Sequence, residues 1–173
     1  MRPILRSSLT ALSLLALSAP LAIAAPKADA PKALGVFSDW TAATHGSGAA
    51  RVCYAFTRAN ESAPAIAHRG AVLLTVTERA GTRDEVTLTA GFPYAKNAAP
   101  TLQVDVTSLD LYTAGENAFA RDGHAVVDAF QRGSTAIARS PGPRGEKVVD
   151  TFSLKGFSAA YAAIAKACPP PRK

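Results

Sequence analysis

Short apolar runs separated by turn residues dominate the chain. Residues 52–57, 86–90 and 102–106 alternate apolar and polar side chains with the period of two expected of a half-buried strand. Further strands are predicted at 36–41, 71–77, 109–112, 136–138 and 148–154. Gly, Asn, Pro and charged residues separate these strands, and hairpin loops are predicted at 79–84 and 140–147. This pattern predicts a mainly β protein, built as an antiparallel sandwich or barrel.

Two segments follow a helical period instead. Asp122 can cap a short helix that ends at Gly133. A second, C-terminal helix ends at Pro169, which cannot continue a helix. Its apolar face repeats at steps of four, three and four: Phe157, Tyr161, Ile164 and Cys168. The predicted fold is therefore a β-sandwich with a C-terminal helix packed on one sheet and one short additional helix.

The first residues have the three parts of a secretory signal. Arg2 and Arg6 form a positive region, an apolar stretch follows at 7–19, and Ala22-Ile23-Ala24 is a small-x-small cleavage site. The apolar stretch is too short for an uncleaved anchor, because a membrane span needs about 20 apolar residues. No later segment is predicted to span a bilayer. We therefore expect export to the periplasm or the cell surface.

The rest of the chain is predicted to hold one domain. Residues 1–24 form the signal peptide, and residues 25–33, composed of Ala, Pro and Lys with one Asp, form a disordered tether. The folded β-sandwich domain is expected at 34–168. The proline-rich residues 169–173 form an extended tail.

The two cysteines, Cys53 and Cys168, indicate both the cellular compartment of the protein and the position of its C-terminal helix. In an exported protein a disulfide is favoured over the alternative, a pair of free buried thiols. If the large side chains of Val52, Tyr54 and Phe56 face the core between two sheets, Cys53 lies on the outer face. The C-terminal helix would then cover that outer face, with Cys168 over Cys53. A disulfide closing so long a loop stabilises by about 4–5 kcal/mol in the chain-entropy model.

Composition excludes several classes of function. The formal net charge is +6, but the basic residues are scattered rather than arranged in a stripe with aromatics, so nucleic acid binding is not predicted. His45, His68 and His124 lie in predicted loops or at element ends, and none is spaced to hold a base beside a serine. Metal-binding motifs and phosphate-binding glycine loops are also absent from the sequence. We predict no enzyme activity, no metal and no cofactor.

Two sets of residues remain as candidates for binding. Trp40 and Tyr54 could form an aromatic patch, but both lie on alternating strands, which favours the core. The loop arginines could form an anion site, against the alternative that they are ordinary solvated charges: Arg69, Arg83, Arg139 and Arg144.

Several short motifs follow one another along the predicted domain: Phe37-Ser38-Asp39-Trp40-Thr41, Arg51-Val52-Cys53-Tyr54, Arg83-Asp84-Glu85-Val86, Gly91-Phe92-Pro93-Tyr94, Gly133-Ser134-Thr135, the run from Asp150 to Phe157, and Lys166-Ala167-Cys168-Pro169. In order and spacing the chain resembles the invasion-associated locus B family of exported alphaproteobacterial proteins. The resemblance implies an immunoglobulin-like β-sandwich without known enzymatic activity or established catalytic residues. Some members carry a further cysteine after the tryptophan; the corresponding position, near Thr44, has none.

The predicted function is that of a non-catalytic exported envelope protein. It would bind an unidentified protein partner in the envelope or on a host. The alternative is a periplasmic binder of a small anionic or polysaccharide ligand, held by the loop arginines. Either site is expected in loops away from the cysteine pair.

Overall fold

The computed structural model describes residues 30–171, so the predicted signal peptide and most of the predicted tether lie outside the described residues. Two α-helices lie at Gly123–Arg132 (α1) and Phe157–Ala167 (α2). The strands are Lys32–Phe37 (β1), Trp40–His45 (β2), Val52–Arg58 (β3), Glu61–Ala63 (β4), Leu73–Glu78 (β5), Glu85–Thr89 (β6), Thr101–Val104 (β7), Thr107–Ala114 (β8), Asn117–Ala120 (β9), Thr135–Pro141 (β10) and Lys147–Ser153 (β11).

All strands pair antiparallel in one curled sheet, in the order β1-β2-β3-β5-β6-β9-β8-β7-β10-β11-β4. Strand β8 turns the corner of this sheet: residues 107–110 pair with β7, and residues 111–114 pair with β9. The corner divides the sheet into half-sheet A (β1, β2, β3, β5, β6, β9) and half-sheet B (β7, β10, β11, β4). A strand that takes part in two sheets is a common way to build a sandwich corner. The predicted mainly β, sandwich-like fold with two helices is confirmed.

The core lies between the two half-sheets and the two helices. Trp40 is fully buried and packs against α2, with 4.9 Å between the ring centroids of Trp40 and Phe157. Phe130 of α1 meets Phe157 edge to face at 5.2 Å. The Trp40 indole N–H donates to the Ser153 carbonyl at 3.0 Å, which links β2 to β11. The core assignment of Trp40 is therefore confirmed.

The predicted orientation of β3 is wrong. Cys53, Ala55 and Thr57 are buried, whereas Tyr54 and Phe56 are half-buried on the opposite, outer face. The reason is steric. The small side chains of Cys53 and Ala55 leave room for α2 to pack on the inner face, so the larger side chains point outward. Tyr54 is consequently a surface residue, not a core residue.

Several boundaries also differ from expectation. The predicted strand at 36–41 is a hairpin, in which Phe37 and Trp40 pair across a two-residue turn and belong to β1 and β2. Strand β1 begins at Lys32, inside the predicted tether, because Lys32 finds a partner in Thr44 of β2. Strands β4 and β9, of three and four residues, were not predicted at all.

The helix predictions are confirmed in detail. Asp122 caps α1 by accepting a hydrogen bond from the Ala125 amide at 3.0 Å, and the helix ends before Gly133. Helix α2 ends at Ala167, with Cys168 as its C-cap directly before Pro169. Within residues 30–171 neither helix is long and apolar enough to cross a membrane.

Candidate functional site

The two cysteines are joined, as predicted. Cys53 and Cys168 form a disulfide between β3 and the end of α2, with 6.0 Å between their Cα atoms and a sequence separation of 115 residues. Helix α2 covers the face of β3 that carries Cys53, as predicted, although that face is the inner one. We call this disulfide the staple.

A cluster of ionisable side chains lies beside the staple, and we call it the acid cluster: Glu78, Arg83, Asp84, His124 and Tyr161. Glu78 ends β5 directly opposite Cys53 and its side chain is fully buried. Asp84 accepts hydrogen bonds from Tyr161 Oη at 2.5 Å and from His124 Nδ1 at 3.0 Å. Arg83 pairs with Glu78 and donates to the Cys168 carbonyl. The cluster thus joins the β5–β6 hairpin to α1, α2 and the staple.

Burial and pairing shift the proton affinities in this cluster. Burial raises the pKa of Glu78 from 4.5 to about 7, and a hydrogen bond from its acid form to Asp84 acts in the same direction. Burial also acts to raise the pKa of Asp84, but hydrogen bonds from Tyr161, His124 and Glu78 outweigh it, so the pKa of Asp84 is lowered. The hydrogen bond to Asp84 raises the pKa of His124. Glu78 therefore gains or loses its proton near neutral pH.

The acid cluster requires a close approach between two backbones. A Cβ atom on Gly123 would lie 1.7 Å from the Asp84 carbonyl oxygen, so only glycine fits at the start of α1. This contact brings His124, the next residue, onto the Asp84 carboxylate. The His124 side chain is 75% exposed, and no hydroxyl is hydrogen-bonded to it in the described part of the chain. The geometry suits the docking of three elements rather than nucleophilic catalysis.

The four candidate arginines do not lie together. Arg69 is buried and makes a bidentate ion pair with the fully buried Asp150, at 2.7 and 2.8 Å. Its guanidinium also lies 5.0 Å from the centroid of the Phe92 ring. Arg69 thus joins the loop before β5 to β11, and its charge is neutralised inside the protein. Arg83 has the same kind of internal role in the acid cluster.

The other two arginines remain on the surface of the β10–β11 hairpin. Arg144 is 79% exposed and pairs with Glu146 through its Nε, at 3.1 Å. Arg139 is exposed and donates from Nη1 to the neutral amide oxygen of Gln103, at 2.7 Å. Arg139 alone of the four makes no ion pair with a carboxylate of residues 30–171.

The outer face of half-sheet A, together with the adjoining residues 111–114 of β8, carries a feature that the sequence did not reveal. Register places seven uncharged residues side by side on adjacent strands, and we call them the outer row: Val36, Thr41, Phe56, Thr75, Thr87, Phe119 and Tyr112. Every member is half-buried or exposed. Val36 is 74% and Tyr112 46% exposed, and Tyr112 stacks on Phe119 with 5.5 Å between ring centroids. Six strand spacings make the row about 29 Å long.

Metal-ligating side chains do not gather into a group in the described ranges. No group of three or more His, Cys, Asp or Glu side chains there could hold a metal ion. The carboxylates of the acid cluster are instead bound to protein donors.

The sequence model described as "Invasion associated locus B (IalB) protein" matches residues 40–165. The chain belongs to this family. Among solved structures it is similar to the crystal structure of invasion associated protein B from Bartonella henselae, with a TM-score of 0.55. The match covers 77% of this chain and 96% of that chain at 18% identity, so it supports the fold alone. No curated protein matches the chain.

Proposed function

We propose that this chain is an exported, non-catalytic envelope protein that acts by binding a protein partner. The observation that carries the proposal is the outer row. The centres of protein interfaces are depleted in charged residues and enriched in aromatic ones. The outer row has this composition, and it begins at β1, an edge strand of the sheet, where Val36 is exposed.

The use of the charged residues supports a binding role over a catalytic one. Glu78, Asp84 and Arg69 are held by internal partners, and these contacts join elements of the fold. By contrast, the outer row leaves half-exposed Phe56 and Phe119 on the surface. Uncovered apolar side chains gathered in one patch mark an interaction site more often than scattered ones do.

Export is the second part of the proposal. It is supported by the predicted signal at 1–24 and by the staple, since disulfides persist in oxidising compartments. Cell fractionation should recover the native chain outside the cytoplasm, with Cys53 and Cys168 in a disulfide and therefore unreactive toward thiol reagents. A variant lacking residues 1–24 should stay in the cytoplasm with both thiols reactive. Recovery of the native chain in the cytoplasm would contradict the proposal.

Site-specific photo-crosslinking in living cells tests the binding surface. A photoreactive residue replacing Thr75, at the centre of the outer row, should capture a distinct protein. The same residue replacing the exposed Thr107 of β8 serves as the matched control and should not capture it. The Thr75→Glu substitution, which introduces a charge into the row, should abolish capture by a probe at Thr41. Identical products from Thr75 and Thr107 would show that the row is not the partner surface.

A further inference from the structure

A cleft of about 360 Å³ lies on the outer face of half-sheet B, beside the β10–β11 hairpin. Arg139 is opposite Val149, and Lys147 is opposite Pro141, in the pairing of β10 with β11. The two cations are therefore diagonal neighbours on one face of the sheet, with Cα atoms about 7–8 Å apart. Val149 and Pro141 occupy the other two corners. The cleft thus combines two positive side chains with an apolar floor.

The positive charges of the cleft are not neutralised by the protein. Within the described residues neither Arg139 nor Lys147 has a carboxylate within ion-pair distance. Arg139 donates one N–H to Gln103, and the other N–H groups of its guanidinium take no part in that hydrogen bond. Lys147 is exposed.

The carboxylates nearest the cleft do not cancel this charge. Glu146 lines the cleft, but its Oε1 accepts from Arg144 Nε at 3.1 Å and its Oε2 from the Arg144 amide at 2.9 Å. Glu146 is thereby paired with a cation of its own. Asp110 lies opposite Thr101 on β8, two strands from Arg139 and about 10 Å away, and does not line the cleft.

We propose that this cleft binds a small organic oxyanion, a ligand with a carboxylate, phosphate or sulfate group on a compact body. The guanidinium of Arg139 offers the planar fork that pairs with two oxygens of such a group, and Lys147 adds a point charge. The apolar part of the ligand rests on Val149 and Pro141. This site is separate from the outer row and does not depend on the protein-binding function proposed above.

Amide chemical-shift titrations of the isotope-labelled full chain test the proposal. The probes are inorganic phosphate, glucuronate and, as the uncharged counterpart, glucose. Phosphate and glucuronate should each give saturable shifts at Thr101 and Val149 that weaken as salt is added. Tighter binding of glucuronate than phosphate would show that the apolar floor contributes. Binding of glucose as tight as that of glucuronate would overturn the proposal, since the charge would then play no part.

Two variants separate the cleft from general surface charge. The double substitution Arg139→Gln with Lys147→Gln should weaken binding of glucuronate at least tenfold. Arg58→Gln with Lys155→Gln removes the same two kinds of charge from exposed positions that do not line the cleft and should change affinity less than twofold. Equal losses in the two variants, or no saturable shift with either anion in the wild-type chain, would refute a site at this cleft. Unchanged amide spectra away from the substituted positions verify that both variants are folded.

Discussion

The region around the staple and the outer surface of the sheet use similar residue types in different ways. Beside Cys53–Cys168, the acid cluster satisfies Asp84 with Tyr161 and His124, and places Arg83 against Glu78. On the outer surface, aromatic rings are left half-exposed, and Arg139 faces only a neutral amide. Residue type alone therefore does not distinguish a charge that stabilises the fold from a charge that is free to bind a ligand. The partner does.

The staple holds together the ends of the domain, and its loss should have the largest effect. Replacing both Cys53 and Cys168 with serine should lower the free energy of unfolding by about 4–5 kcal/mol, because the unfolded chain regains the freedom of a long closed loop. Urea unfolding of the variant measures this loss. A variant as stable as the wild-type chain would mean that the acid cluster and the packing of Phe157 against Trp40 hold α2 in place without the disulfide.

Arg69 should behave as a structural residue. Arg69→Met leaves the fully buried Asp150 without a countercharge and should lower the free energy of unfolding by about 3–5 kcal/mol. Adding Asp150→Leu should recover a large part of the loss, since no buried charge then remains. Thermal and urea unfolding of the single and double variants measure both effects. If Arg69→Met alone is as stable as the wild-type chain, Arg69 is not a structural residue.

The acid cluster should make stability depend on pH. Because the pKa of Glu78 is about 7 in the folded chain and 4.5 ordinarily, the folded state binds more protons between these values, and stability should fall as pH rises through this window. The pKa of His124 is also raised, so stability should fall further as pH rises through the pKa of this residue. At about 1.36 kcal/mol per pKa unit, the fall due to Glu78 should be on the order of 3 kcal/mol.

Glu78→Gln should remove most of this pH dependence. Glu85→Gln, on the same hairpin but ion-paired with Arg79 at the surface, is the matched control and should retain it. Urea unfolding across the window of pH 4.5 to 7 provides the comparison. Equal pH profiles for the two variants would show that Glu78 is not the titrating group.

Arg139 should contribute least to stability. Arg139→Met removes an exposed hydrogen bond to Gln103 and should change the free energy of unfolding by no more than about 0.5 kcal/mol. Urea unfolding of Arg139→Met and Arg69→Met, measured together, compares an arginine that is paired with a carboxylate with one that is not. A loss comparable with that of Arg69→Met would assign Arg139 a structural role.

Much of the fold follows from local sequence patterns. Strand alternation located β3, β6 and β7, short apolar runs located β5, β8, β10 and β11, and cap chemistry located both ends of α1. The short strands β4 and β9 were missed because three or four residues carry too little periodicity to be recognised. The hairpin turn after Phe37 was missed because its position depends on contacts far along the chain, including the hydrogen bond from Asp39 N to the Lys155 carbonyl.

Signals for the buried charges were present but incomplete. Asp150 stands between Val148 and Phe152 at the core phase of its strand, and Glu78 follows Leu74 and Val76 in the same way. An acid at such a position indicates a buried partner. The alternation does not identify that partner, which for Asp150 lies 81 residues away.

The strand-rich class, the two helices and the cysteine pair could be predicted from the sequence, because periodicity, capping and cysteine chemistry act over short distances or between only two residues. The face of β3 that meets the core and the arginines that are neutralised could be assigned only once the fold was known. Both depend on long-range packing: small side chains on β3 admitted α2, and Asp150 lay within reach of Arg69 but not of Arg139. The outer row likewise exists only through register, since its seven residues come from seven different strands.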